Sequence, residues 1–355
     1  MSEVKPRLTI GGDFELTTLN YADPQQLATL THGLEGTWTS SGRSALALVL
    51  QQLVTRGINH VHLPSYLCES IIAPIEALHL DYSFYPVDSS LTAYPEPPAG
   101  AAVLIINYFG WLNPALSDWQ EPPAEFVLIE DCCQALLSGW NRQAASAHQI
   151  ILSPRKFAGT ALGGWCNIPS HRVADDHAIN EAFRQSLTAR LLRGAYLSDK
   201  GASIDSSIES TYLSLLAGVE KFLDENPTNT GVPDTALRLI AGTDWDSIAQ
   251  QRRSNWLVLH EQLRDQLQPI CETLPDDVVP LGYVVRVDDR DRVRENLAKR
   301  RIFCPVHWPL PEQVNRSRFP QSAELAATAL TLPIDQRYTS DDMSRLAEAI
   351  ADTLL

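Results

Sequence analysis

Phe126-Val127-Leu128-Ile129-Glu130-Asp131-Cys132-Cys133-Gln134-Ala135-Leu136 reads as an apolar strand that ends in two carboxylates. Similar short apolar runs flank it at 60–63, 82–87 and 102–106 before it, and at 150–152 after it. Each has the length of a strand, and helix- or loop-like sequence separates one from the next. Alternation of this kind predicts an α/β fold with a mostly parallel central sheet and helices on both faces.

Further out, residues 44–54 carry Ala45, Leu46, Leu48, Val49, Leu50, Leu53 and Val54 on one broad face, which predicts a helix. Ser40 or Ser41 can cap its start and Gly57 can end it. Residues 180–222 read as helices, and the turn formers of ENPTNTGVPD, 225–234, mark a boundary. We therefore expect a large ligand-binding α/β domain over residues 1–230 and a smaller C-terminal α+β domain over 231–355. In the smaller one, 235–267 reads as one long helical stretch, and 283–287 and 301–306 as strands. Residues 340–355 read as an amphipathic helix with Met343, Leu346, Ile350 and Leu354 inward.

The chain of 355 residues is 44% apolar and 20% charged, an ordinary globular composition that excludes a disordered chain, a collagen repeat and a coiled coil. No apolar run reaches the roughly 18–20 residues of a spanning helix. MSEVKPRLTI lacks the apolar stretch of a signal peptide. The formal charge of −15 disfavours nucleic acid and anionic membranes but leaves room for a locally basic pocket. Cys68, Cys132, Cys133, Cys166, Cys271 and Cys304 include no CxxC, so no metal site is expected. They suit buried thiols in a reducing cytoplasm.

Ligands of parallel sheets bind beyond the carboxyl ends of the strands. Three segments bring polar chemistry to that edge. Ser40-Ser41-Gly42-Arg43-Ser44 precedes a helix, where free N–H groups take phosphate and Gly42 permits close approach; a plain N-cap is the ordinary alternative. Glu130-Asp131 ends a strand, where an acid can hold a metal, a ribose or a protonated ring nitrogen, or simply cap. Lys156 in Ser153-Pro154-Arg155-Lys156 follows a buried strand, where burial and cationic neighbours make an amine nucleophilic; an exposed loop lysine is the alternative. In this chain order, with 25 residues from Asp131 to Lys156, the three fit a pyridoxal-phosphate site. That cofactor needs a phosphate anchor, a carboxylate at its pyridine nitrogen and an amine for its aldehyde.

Seven segments resemble, in order, those of the DegT/DnrJ/EryC1/StrS aminotransferases, a family of fold-type I pyridoxal-phosphate enzymes. They are SSGRSALALVL, LPSYLCESI, VLIINYFGW, FVLIEDCCQAL, SPRKFAGTALGGW, RRIFCPVHWPLP and LTLPIDQRYTSDDM. The resemblance implies pyridoxal 5′-phosphate as cofactor and Lys156 as the lysine of the internal aldimine and the proton shuttle. It implies Asp131 at the pyridinium nitrogen, Gln134 near the ring hydroxyl, and Ser41, Gly42, Arg43 and Ser153 at the phosphate. Tyr66 or Cys68 is implied against the ring face, and Tyr108, His307 and Trp308, with Arg300 and Arg301 nearby, at the substrate. Arg43 stands where the family has Thr, Ile151 where it has Ser and Leu136 where it has His, which marks an outlying branch. Asn229 is the candidate for the partner-subunit phosphate contact.

The implied reaction is amino transfer, from glutamate in most of the family, to a keto substrate such as a nucleotide-linked keto sugar, in a cytoplasmic homodimer with a shared site. Another pyridoxal-phosphate reaction, elimination or carbon–carbon bond formation, is the alternative, followed by a non-catalytic homologue. Family dehydratases commonly replace the lysine with His, so Lys156 favours transamination.

Overall fold

The five apolar runs become five neighbouring parallel strands, and two further short strands complete a seven-stranded sheet. The computed structural model describes residues 9–18, 23–93, 95–118, 126–140, 148–169, 177–198, 206–228 and 231–354. The first half of the chain holds β1 (Ile10–Gly11), α1 (Pro24–Leu30), β2 (Thr37–Thr39), α2 (Gly42–Thr55), β3 (His60–Pro64), α3 (Ile72–Ala77), β4 (Asp81–Tyr85), β5 (Ala102–Ile106), α4 (Pro114–Asp118), β6 (Val127–Asp131), β7 (His148–Leu152) and β8 (Gly164–Cys166). The second half holds α5 (His177–Ser198), α6 (Ser206–Glu225), α7 (Asp234–Ala241), α8 (Trp245–Leu263), β9 (Gln268–Pro269), β10 (Tyr283–Arg286), α9 (Arg290–Lys299), β11 (Ile302–Phe303), α10 (Pro320–Thr328), β12 (Ala329–Leu332) and α11 (Ser340–Leu354).

The large sheet runs β2-β8-β7-β6-β5-β3-β4, with β8 antiparallel to both its neighbours. Strands β5, β6 and β7 are buried along their whole length, as parallel strands covered on both sides must be. Alternation decides which face each side chain joins. Ile151 and Cys166 pack with Ala45, Leu46, Val49 and Leu50 of α2. Ile150, Leu152 and Trp165 pack on the opposite face with Leu30, Ile240, Trp245 and Ile248 of α1, α7 and α8.

The helix expected at 235–267 is two helices, α7 and α8. Gly242 ends the first, and Asp244 caps the second by accepting from the Ser247 N–H at 3.0 Å. The strand expected at 301–306 is only Ile302–Phe303, which pairs parallel with β1. A separate antiparallel sheet, β12-β10-β9, packs with α8, α9 and α11, where Met343, Leu346 and Ile350 are fully buried and Leu354 lies at the edge.

Residues 11–15 are tied down from several sides. The Arg193 guanidinium donates to the carbonyls of Gly11 and Asp13, and Arg190 donates to that of Phe14. Arg337 donates to Gly12 and Asp13 and pairs with Glu15 at 2.7 Å.

Candidate active site

The parallel strands all deliver their carboxyl ends to one edge of the large sheet, and the N-terminus of α2 meets them there. A cleft opens between them. Of the residues singled out from the sequence, Ser41, Gly42, Arg43, Cys68, Asp131, Gln134, Ser153, Lys156 and Trp308 line it.

Ser41 is the N-cap of α2; its Oγ accepts from the Ser44 N–H at 3.2 Å and lies 3.0 Å from the Ser44 Oγ. The capping reading and the site reading therefore share this residue. Gly42 opens the helix where space is short. A Cβ there would stand 2.8 Å from Cys133 Sγ and 3.5 Å from Ser153 Cβ, so the cup needs glycine for its volume. Gly164 presses closer still, since its Cβ would stand 2.0 Å from the Ser41 carbonyl oxygen.

The two acids of β6 part company because strand side chains alternate. Glu130 turns into the core, where its Oε2 lies 2.8 Å from His148 Nε2 and its Oε1 accepts from Asn107 at 2.6 Å. Asp131 turns into the cleft, oriented by the Cys133 N–H donating to Oδ1 at 2.9 Å. Gln134 accepts from the Phe109 N–H at 2.9 Å through its Oε1, and its Nε2 is buried with no partner. Lys156 ends a short 3₁₀ turn, Pro154–Lys156, and its amine has no hydrogen-bond or ion-pair partner among the described residues. Burial, and then the Asp131 charge, raise the Cys133 thiol well above its ordinary range, so it stands neutral beside this amine.

Three candidates sit behind the lining rather than in it. Tyr66 is fully buried and its hydroxyl donates to the His307 carbonyl; of the two candidates for the ring face, Cys68 is the one in the cleft. The Tyr108 hydroxyl is likewise spent inside the protein, donating to the Tyr66 carbonyl at 2.5 Å. His307 Nδ1 lies 2.9 Å from Thr331 Oγ1, and burial followed by the Lys156 charge pushes its imidazole down to about 3. These three support Trp308, whose ring lies 5.6 Å from that of Tyr66 and 6.3 Å from that of Tyr108. Arg300 pairs instead with Asp352 at 2.9 Å, and Arg301 donates to Thr9 and Tyr196, because the β1–β11 pairing turns this segment away from the cleft. Asn229 lies outside the described residues.

Sequence reasoning passed over Arg155 and Cys133, although both flank residues it chose and both line the cleft. It also passed over Glu220, which reaches Arg155 across 65 residues from α6 and leaves no local signal.

Among the described residues there is no cluster of His, Cys, Asp and Glu able to hold a metal ion, and no helix is long and apolar enough to cross a membrane.

Comparison with known proteins agrees with this architecture. Residues 239–351 match the model of the DegT/DnrJ/EryC1/StrS aminotransferase family. The structure resembles that of Spr1654 from Streptococcus pneumoniae in its PMP form, with a TM-score of 0.67 and 15% identity over 98% of each chain. It resembles the aminotransferase TlmJ from Streptoalloteichus hindustanus, with a TM-score of 0.66 and 16% identity over 98% of this chain and 99% of that one. It also resembles the sugar aminotransferase CalS13 from Micromonospora echinospora, with a TM-score of 0.60 and 16% identity over 95% of this chain and 100% of that one. No curated protein sequence matches the chain. The fold is that of fold-type I aminotransferases, as the sequence reading expected.

Proposed function

We propose that this chain is a pyridoxal-phosphate-dependent aminotransferase that moves an amino group from an amino-acid donor, glutamate foremost, to a keto substrate of the nucleotide-linked sugar class. One observation carries the proposal: a partnerless amine, an oriented carboxylate and a glycine-opened helix N-terminus line the same cleft. The match of residues 239–351 to an aminotransferase family supports it. Spr1654 has structures in a PLP form and a PMP form, and CalS13 is a sugar aminotransferase, which supports the cofactor and the acceptor class.

The residues fit that cofactor on two grounds. The buried Gln134 Nε2 lacks an acceptor, which the ring hydroxyl would supply. The cup at Gly42 is bounded by Ser153, and a side chain on Gly42 would fill it. Gly42, Ser41, Ser153 and Arg43 would hold the phosphate, Asp131 the ring nitrogen, and Cys68 would lie at the ring face.

When bound, the cofactor supplies an aldehyde that condenses with amines and a ring that draws electrons from the carbon beside the nitrogen. Asp131 holds a proton on the ring nitrogen, because a carboxylate close to a cation favours the charged form. Lys156 Nζ, tied to no carboxylate, would take the proton from the substrate's α carbon and deliver it to the carbon that had borne the aldehyde, leaving the amine as it began. Neutral His307 sets no second cation against that amine. Trp308 shields the cleft from water on the side it lines. A homodimer that shares the site is part of the proposal and rests on the family resemblance.

The test is spectroscopic. The purified protein, loaded with pyridoxal phosphate, is expected to gain a visible absorbance that glutamate shifts and that Lys156→Ala abolishes. An unchanged spectrum in Lys156→Ala would refute the role of the lysine. A panel of nucleotide-linked keto sugars against free keto acids then identifies the acceptor class.

A further inference from the structure

A second cavity, of about 390 Å³, lies behind the lysine segment and shares no lining residue with the cleft. Its walls are Ala158, Gly159 and Thr160, which follow Lys156, together with α7, α8, the connection from β12 to α11 and part of the N-terminal segment. That volume falls within the roughly 300–1,000 Å³ of small-molecule sites. Two polar atoms of the lining residues are buried without a partner among the described residues, Thr160 Oγ1 and Gln336 Oε1. Thr160 is 1% exposed. The other end of the Gln336 amide fixes which way round it lies, since Nε2 donates to the Phe157 carbonyl at 2.8 Å and only the nitrogen can do so. Its Oε1 therefore calls for a donor. Gln251 is set in the same way. Its Nε2 donates to the Tyr338 carbonyl at 3.1 Å and to Asn255 Oδ1 at 2.9 Å, which leaves its Oε1 as an acceptor.

Charge narrows the occupant. Among the described residues no Lys, Arg or His lines the cavity, and its one charged residue is Asp244. That carboxylate accepts from the Ser247 N–H at 3.0 Å through Oδ1 and from the Ser247 hydroxyl at 2.7 Å through Oδ2. An anion would meet it without a counter-charge, and a cation would find it already satisfied. An uncharged occupant must give hydrogens to the two amide oxygens, bond to the Thr160 hydroxyl and cover the apolar side chains of Leu16, Leu239 and Ile248. Hydroxyl groups on a carbon ring or chain do all three, because each donates and accepts and the C–H faces between them are apolar. We infer that this cavity is a second ligand site and that it takes an uncharged polyhydroxyl compound of monosaccharide size, held by Thr160 and Gln336. The inference stands apart from the cofactor reading, since the two sites have no residue in common.

The experiment is isothermal titration of the full chain with D-glucose, myo-inositol and xylitol, and with glucosamine and glucose 6-phosphate as cationic and anionic forms of one ring. At least one of the three neutral compounds is expected to bind, and equally well with and without pyridoxal phosphate. Neither charged sugar should bind more tightly than the neutral one. Thr160→Val keeps the shape of the side chain and removes its hydroxyl. It is expected to weaken binding about 10-fold, the size of one lost hydrogen bond, without lowering the melting temperature, since that hydroxyl has no partner to lose. Gln336→Leu should weaken binding by a similar factor, and Thr160→Val carries the comparison if Gln336→Leu does not fold. Binding of none of the three, the two orphan atoms being served by water alone, would overturn the inference. So would unchanged affinity in Thr160→Val, tighter binding of either charged sugar, or competition by pyridoxal phosphate, which would put the compound in the cleft instead.

Discussion

Asp131 and Glu130 are neighbours in the chain and point opposite ways. The pleat of β6 sends one to the cleft and the other to His148 in the core. Asp131→Asn keeps an acceptor for the Cys133 N–H and removes only the charge. It is expected to lower turnover at least about 100-fold while shifting the melting temperature little. Steady-state kinetics and calorimetry on the same preparation check both halves; full activity would remove Asp131 from the mechanism. The position of this acid was legible because a strand end exposes its own last residue. The burial of Tyr66 and Tyr108 was not. The Tyr66 hydroxyl finds its acceptor at His307, 241 residues away, and no local pattern announces such a partner.

Among the elements, α2 does most to shape the site. Its apolar face anchors it to the sheet, and its first turn forms the wall of the cup. Within a helix, Gly→Ala ordinarily stabilises by about 0.5–1 kcal/mol. At Gly42 the new methyl would meet Cys133 Sγ at 2.8 Å. Overpacking of that kind costs about 1–3 kcal/mol. Gly42→Ala is therefore expected to be near neutral or mildly destabilising in thermal melts, yet to weaken pyridoxal phosphate binding markedly. Wild-type affinity in the titration would show that the cup is not the phosphate site. The sequence revealed this helix and its cap, because an apolar face and a Ser-Gly start are local signals. It did not reveal the break between α7 and α8, where a glycine and a capping aspartate interrupt a pattern that periodicity alone carries through.

At the scale of the whole molecule, charge sets the response to acid. His307 titrates near 6.5 when unfolded and is pushed down to about 3 in the folded protein, by burial first and the Lys156 charge second. As pH falls below about 6.5, the unfolded chain takes a proton that the folded one refuses, so stability is lost. Burial alone would raise the Glu220 carboxyl; Arg155 and then Arg43 outweigh it and bring the group down to about 2 from an ordinary 4.5. That contribution is whole above about 4.5 and is lost as pH falls toward 2. Melting temperature is thus expected to decline from about pH 6.5 downward and more steeply below about 4.5. His307→Gln should flatten the upper part of that decline; an unchanged profile would show that the imidazole titrates normally. The mostly parallel character of the large sheet followed from alternation of helix and strand; its strand order and the antiparallel β8 did not. Nor did the β1–β11 pairing, since two residues are too few to give a period.

That small pairing has a consequence for biosynthesis. Ile10 and Gly11 leave the ribosome almost three hundred residues ahead of their partners Ile302 and Phe303. Arg190 and Arg193 can hold the waiting segment once α5 forms, whereas Arg337 emerges only after Phe303. A nascent chain stalled short of residue 302 would hold residues 11–14 by Arg190 and Arg193 alone, with the strand pairing still to be made.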